Sequence, residues 1–303
     1  MAEQGKRGFK LPIGAWDSHI HIIDEDHWKI NDDAPFHPKQ ANLDQLLAFE
    51  RTLGIDHVCV VAMSVYMTDN RCNMDGLRRL KGKGRGVAII DPDTVTDEEL
   101  DEMHSVGFRG VRINLRTRSQ AYGPHVWGEV LPKYVARLRR LKSWVVQIFV
   151  SMDQIQHIAP HVPGLLQAGL KVVFDHVGHP EAGGSPISQP GCKELYDLLS
   201  NHKQVYIKLS GLYRLPEVPD LDTHVRHLLE IAPDQIVWAS DWPHTAGPEF
   251  NPGGNPQAVQ DFMVVDILGF IKQCVERCQG DPELIHKIWV DNPRRLWDYH
   301  DGD

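Results

Sequence analysis

The sequence predicts a single-domain α/β fold, a TIM (β/α)8 barrel. Short β-branched runs alternate with longer helical patterns from one end of the chain to the other, and the runs number eight. No Gly-rich GxGxxG turn follows any run, as it would in a doubly wound dinucleotide-binding sheet. A barrel needs roughly 250 residues, so the 303 residues present suit one domain spanning 1–303, with its core at about 14–299 and an N-terminal extension at 1–13.

Taken in order, the expected strands are 15–22 (AWDSHIHI), 57–63 (HVCVVAM), 86–90 (GVAII), 110–115 (GVRINL), 144–150 (WVVQIFV), 171–177 (KVVFDHV), 204–210 (QVYIKLS) and 235–241 (QIVWASD). Helical periodicity fills the intervals at 43–53, 72–82, 97–106, 129–142, 153–159 with 163–169, 191–201 and 222–232. Two further helices are expected at 257–279 and 282–299. Thr96 with Glu99 three residues on reads as a capping box, and Gly54, Gly107 and Gly169 stand where helices should stop. Two long loops, 24–41 and 244–256, fall after the first and eighth strands, at the barrel face where active sites are built.

With 42% hydrophobic and 24% charged residues the chain can bury a large core. A net charge of −9 argues against a nucleic-acid surface while leaving room for a local basic pocket. No run approaches the roughly 18 uninterrupted apolar residues of a membrane-spanning helix, and the N-terminus lacks the apolar region of a signal peptide. Five scattered cysteines suit a reducing compartment, so a soluble, cytoplasmic protein is expected.

The first strand is polar where a barrel strand should be apolar. Strand residues i and i+2 share a face, so Asp17, His19 and His21 are expected to point inward together, with Ser18, Ile20 and Ile22 toward the helices. A lone interior histidine is most simply a hydrogen-bonded core residue, but two of them with an acid need a metal, a substrate or a dense hydrogen-bond network. Partners sit at the same end of other strands: Asp175, His176 and His179 at the sixth, Lys208, Ser210 and Arg214 at the seventh, Asp241 and His244 at the eighth. Such clustering at strand C-termini marks a catalytic mouth.

His19, His21, His176 and Asp241 form a donor set for one divalent ion, with Zn²⁺ the best match to the ligand types. Asp241 then serves as general base toward water. The same residues also work without metal, the imidazoles polarising a carbonyl directly, and the sequence leaves both versions open. Arg112, Arg116 and Arg118 on and after the fourth strand, with Arg214 after the seventh, suggest capture of an anionic small molecule, although any single arginine is as readily a solvated surface charge. Oligomeric state is not readable.

HxH at 19–21, DHxGxP at 175–180, KLSGL at 208–212, SDWP at 240–243 and NPxRL at 292–296 occur in this order along nearly the whole chain. Together they resemble the amidohydrolase superfamily, in the amidohydrolase-2 branch that contains sugar lactonases, pyrone lactonases and related decarboxylases. Similarity is greatest to the pyrone-dicarboxylate lactonases. Their paired arginines after the fourth strand are matched by Arg112 and Arg118, their Lys-to-Arg spacing by Lys208 and Arg214, their DWPH by Asp241 to His244, and their S-x-x-x-T-D-N by Ser64, Thr68, Asp69 and Asn70. The resemblance implies arginines that hold substrate carboxylates, an Asp241 that activates water and histidines that assist at the ester carbonyl. It also implies substrate contacts from Ser64, Asn70, Lys208 and His244.

Two positions depart from the pattern. Ile148 stands where the pyrone lactonases carry a tyrosine, and Gln147 replaces the bridging Lys or Glu of two-metal members, which limits the site to one ion. The expected activity is hydrolysis of a lactone or cyclic ester bearing carboxylates. A metal-dependent non-oxidative decarboxylase would use the same donors, and a non-catalytic barrel is the remaining alternative.

Overall fold

The computed structural model describes residues 10–114 and 125–300. All eight expected runs form strands: Trp16–Ile20, His57–Val61, Gly84–Ala88, Phe108–Asn114, Val145–Phe149, Lys171–Phe174, Val205–Leu209 and Ile236–Trp238. They pair in chain order in one parallel sheet, with helices in the connections. The third strand begins two residues earlier than expected, at Gly84. Packing is close there, since a Cβ on Gly86 would come within 2.6 Å of Leu77 and 2.8 Å of Phe108.

The sheet closes on itself at the C-terminal end of the strands. Trp242 bridges Ile20 in parallel, the Asp241 amide donates to the His19 carbonyl at 3.0 Å, and the His21 amide to the Trp242 carbonyl at 2.9 Å. The first strand carries a bulge: Asp17 pairs with Val58 but Ile20 with Val60, so three steps on one strand meet two on the other. The extra residue overturns the expected alternation. Ser18 turns inward, where its Oγ accepts from Trp297 Nε1 at 3.2 Å, and His19 also turns inward against Lys208. Asp17 is left on the helix side, beside Glu50 of helix Leu43–Leu53.

The barrel interior is layered. Trp16, Cys59, Val61, Val145 and Tyr206 pack on Leu296 and Trp297, which plug the N-terminal end. Above this apolar floor lies a polar layer containing Arg112, Gln147, Asp175 and Lys208, all buried. The outer wall, from Ile20, Val60, Val111 and their neighbours, packs on the helices in a second core. Thr96 and Glu99 form the expected capping box, and Gly54 caps the first helix in the left-handed region at φ 74°.

Two expected helices differ. The helix at 257–279 is shorter, Ile267–Arg277, with the Asp266 side chain accepting from the Gly269 amide at its start. The preceding residues Val259–Gln260 pair instead with His37–Pro38, and Gln260 Nε2 donates to Gly247 O and Asn251 Oδ1. This contact draws together the two long loops at the barrel mouth. The 282–299 helix is broken into Pro282–His286, a wider turn at Lys287–Asp291, and Asn292–Leu296, as Pro293 supplies no amide hydrogen. Among the described residues no helix is long and apolar enough to cross a membrane.

Asp17 Oδ1 accepts from the His19 amide at 3.1 Å and the Ser240 amide at 3.0 Å, linking the first strand to the end of the eighth. Burial pushes its carboxyl up to about 7, and burial together with Asp17 pushes Glu50 well above its usual range. The folded chain therefore binds more protons here than the unfolded chain does. The pair's contribution is complete below about pH 4 and is lost as pH rises through about 7. Glu50→Gln, whose amide can donate to an ionised Asp17, is expected to exceed the wild type in unfolding free energy at alkaline pH by on the order of 1 kcal/mol and to converge with it in acid. Urea unfolding at both pH extremes measures the difference.

Candidate active site

Backbone turns at the strand ends aim the polar side chains into the mouth. His176 follows the sixth strand with φ 50°, and Asp241 follows the eighth with φ 64°. Such conformations disfavour residues with a Cβ and persist where the surroundings hold them. Gly211 of the KLSG motif is itself at φ 65°, and a Cβ there would lie 2.7 Å from the His176 ring. Only glycine lets that imidazole pack over the seventh strand.

His19, His21, His176 and Asp241, far apart in the chain, meet at one point. His19 Nε2 and His21 Nε2 lie 3.7 and 3.9 Å from Asp241 Oδ1 and 3.3 Å from each other. His176 Nε2 lies 3.8 Å from the other oxygen, Oδ2. Burial works to raise the Asp241 carboxyl, but Arg214 and the three imidazoles outweigh it and hold the group well below the carboxylate range. Burial pushes His21 and His176 down to about 4 and holds His19 well below its usual range, there with help from Lys208. All three imidazoles are therefore neutral at pH 7.

Their second nitrogens are anchored. His21 Nδ1 donates to the Val61 carbonyl at 2.7 Å, which leaves a lone pair on Nε2. His176 Nδ1 bonds Ser210 Oγ at 2.8 Å. His19 Nδ1 faces a donor, Lys208 Nζ at 3.2 Å, and an acceptor, Asp175 Oδ1 at 3.4 Å. If Nδ1 accepts from Lys208, the proton on Nε2 points at the His21 lone pair and the network is satisfied without metal. If Nδ1 instead donates to Asp175 Oδ1, which has no other hydrogen-bond donor among the described residues, three lone-pair donors face one another. A tetrahedron with metal–ligand bonds of about 2.0–2.2 Å has edges of about 3.3–3.6 Å; the His19–His21 separation equals this, and the two distances to Asp241 Oδ1 exceed it by a few tenths of an ångström.

His19, His21 and Asp241 thus fit one divalent ion. The second donor group, His19, Asp175 and His176, already has its countercharges. Asp175 is 3.5 Å from Lys208 Nζ and 3.2 Å from Arg112 Nη2. Burial favours the neutral acid, but Lys208, His19 and Arg112 override it and keep Asp175 ionised.

Above these groups opens a cavity with ≈ 410 Å³ of empty space, part of it open to solvent at the mouth. His21, His176 and Asp241 form its base, Phe36, Met63 and Phe149 an apolar wall, and Ser64, Arg112 and Asn114 a polar one; Arg214 and the backbone at 245–247 close the far side. Arg112 is buried, and among the described residues its Nε has no hydrogen-bond partner. Arg214 is committed within the protein, donating from Nε to Asp241 Oδ2 at 2.9 Å, from Nη1 to Ala246 O and from Nη2 to Thr245 O.

Other expected contacts are placed elsewhere. Lys208 lies a layer below the cavity, fully buried, donating to Gln147 Oε1 at 2.8 Å. Asn70 holds loop backbone, exchanging hydrogen bonds with Ile89. His244 is buried against the Tyr213 and Phe49 rings rather than lining the cavity. Arg116 and Arg118 lie outside the described residues. Two contributors had no sequence signal beyond proximity to a motif: Asn114, whose Nδ2 donates to Ser64 Oγ, and Tyr213, whose hydroxyl donates to Asp241 Oδ2 at 2.7 Å.

The chain is a parallel barrel with an ionised carboxylate among neutral imidazoles at its mouth, an arrangement suited to hydrolysis. The chain belongs to the Amidohydrolase family, whose model matches residues 16–299. It is 31% identical over 299 residues to a 4-sulfomuconolactone hydrolase of Rhizobium radiobacter, covering 95% of this chain and 91% of the relative. It is 28% identical over 309 residues to a 2-pyrone-4,6-dicarboxylate hydrolase of Comamonas testosteroni, covering 98% and 94%. A crystal structure of a probable 2-pyrone-4,6-dicarboxylic acid hydrolase from Acinetobacter baumannii with citric acid bound superposes with a TM-score of 0.72 at 22% identity, over 94% of this chain and 100% of that one. At that identity the likeness is one of fold.

Removing Lys208 leaves Asp175 charged and under-compensated in the barrel. Lys208→Met is expected to destabilise the protein by about 3–5 kcal/mol, read as a shift of the urea midpoint at neutral pH.

Proposed function

We propose that the protein hydrolyses a lactone or related cyclic ester of a small molecule bearing an acidic group. The observation that carries this reading is the convergence of three imidazole Nε2 atoms on the Asp241 carboxylate at the base of a cavity whose wall holds the Arg112 guanidinium. The names of the 4-sulfomuconolactone and 2-pyrone-4,6-dicarboxylate hydrolases support it, since both describe acidic lactones.

In this reading Arg112 holds the substrate's acidic group, with Arg118 as a second cation and Ser64 and Asn114 as hydrogen-bonding neighbours. Phe36, Met63 and Phe149 pack on the ring. Asp241, ionised at neutral pH, takes the proton of the attacking water. His176, with Nδ1 accepting from Ser210, directs its Nε2 hydrogen at the carbonyl oxygen as charge develops there. A divalent ion held by His19, His21 and Asp241, Zn²⁺ by donor type, supplies Lewis acidity toward that carbonyl when bound. The buried free cysteines fit a reducing, cytoplasmic setting.

The test is hydrolysis of 2-pyrone-4,6-dicarboxylate, 4-sulfomuconolactone and uncharged aldonolactones, followed by base uptake and by release of carbon dioxide. Base uptake with the acidic lactones alone is expected, whereas carbon dioxide without base uptake would establish a decarboxylase instead. Asp241→Asn is expected to lower kcat by about 10²–10⁴-fold. Arg112→Met is expected to act mainly on KM, raising it on the order of 10-fold or more for acidic lactones, and steady-state kinetics separate the two effects.

A further inference from the structure

The two oxygens of Asp241 are not equivalent. Oδ2 accepts from the Tyr213 hydroxyl at 2.7 Å and from Arg214 Nε at 2.9 Å. Oδ1 faces His19 and His21 at 3.7 and 3.9 Å, beyond hydrogen-bond length. Arg214 supplies charge, but its two outer nitrogens are tied to the carbonyls of Thr245 and Ala246. A single hydrogen bond from that side leaves the carboxylate free to turn about its terminal torsion, which is broad for a carboxyl group. A second donor to the same oxygen, from a different residue, fixes the plane. Tyr213 is set for this, its ring held between the Arg214 guanidinium at 4.9 Å and the His244 imidazole at 5.4 Å.

We propose that Tyr213 is a positioning residue for the reaction: by binding Oδ2 it presents Oδ1 of Asp241 as the oxygen that takes the proton from water. The inference rests on the reading of Asp241 as the base. In the step concerned, written for the site without an ion on Oδ1, the water oxygen bonds to the ester carbonyl carbon while its proton passes to Oδ1. The ring C–O bond then breaks, and the leaving oxygen receives that proton from Oδ1, giving the open hydroxy acid with no other reactant. A neutral phenol orients the carboxylate without adding a second positive charge, which would hold the carboxylate as a weaker base.

The decisive variant is Tyr213→Phe, which keeps the ring against Arg214 and His244 and removes only the hydroxyl. It is assayed beside Asp241→Asn on whichever of 2-pyrone-4,6-dicarboxylate and 4-sulfomuconolactone is hydrolysed faster, with the thermal midpoint recorded for each protein. A fall in kcat of about 10- to 100-fold at unchanged KM and midpoint supports the assignment. Wild-type kinetics in Tyr213→Phe overturn it, and so does a rise in KM at unchanged kcat, which would make Tyr213 a substrate contact. Retention of kcat by Asp241→Asn would overturn the base itself, a failure distinct from that of Tyr213.

Discussion

The seam between the first and eighth strands is the constraint on which the site depends. Barrel closure requires backbone hydrogen bonds across it, and these are made by the chemical residues themselves: the Asp241 amide to the His19 carbonyl, and the His21 amide to the Trp242 carbonyl. Asp17 adds a side-chain bridge from the His19 amide to the Ser240 amide. Closing the barrel and assembling the site are therefore one event. The distances among His19, His21 and Asp241 follow from strand pairing, a stiffer support than a loop provides.

The same economy appears in the arrangement of charge. Each acid near the mouth has a cation fixed beside it, Arg214 at Asp241 and Lys208 with Arg112 at Asp175. Uncompensated, these buried carboxylates would take up protons. Paired, they stay ionised, while burial keeps the imidazoles neutral. Lys208 also occupies the surroundings of the second donor group, which leaves His19, His21 and Asp241 as the set with room for an ion.

Much of this was legible in the chain. The eight strands, the capping box at Thr96 and the clustering of His19, His21, His176 and Asp241 follow from pattern and spacing alone, because strand periodicity and βα alternation are local properties. The start of the third strand was less legible: it lies at Gly84 rather than Gly86, and both glycines are set by close packing with Leu77, Leu80 and Phe108, which the chain order does not display. The alternation that put Asp17 beside the histidines failed at the bulge, since one extra residue reverses the face of those before it and leaves no mark in composition.

The sequence by itself determined the barrel, the end of the barrel that carries chemistry, and the donors that gather there, because each is set by local periodicity and by position within a strand. The tertiary structure alone decided what each group does. It moved Asp17 behind the wall, set Lys208 beneath the cavity as a counter-charge, and tied Arg214, expected to face an anionic substrate, to the Asp241 carboxylate. It also brought Tyr213 to Asp241. Those roles depend on partners 27 to 189 positions away in the chain, and separations of that size have no period to read.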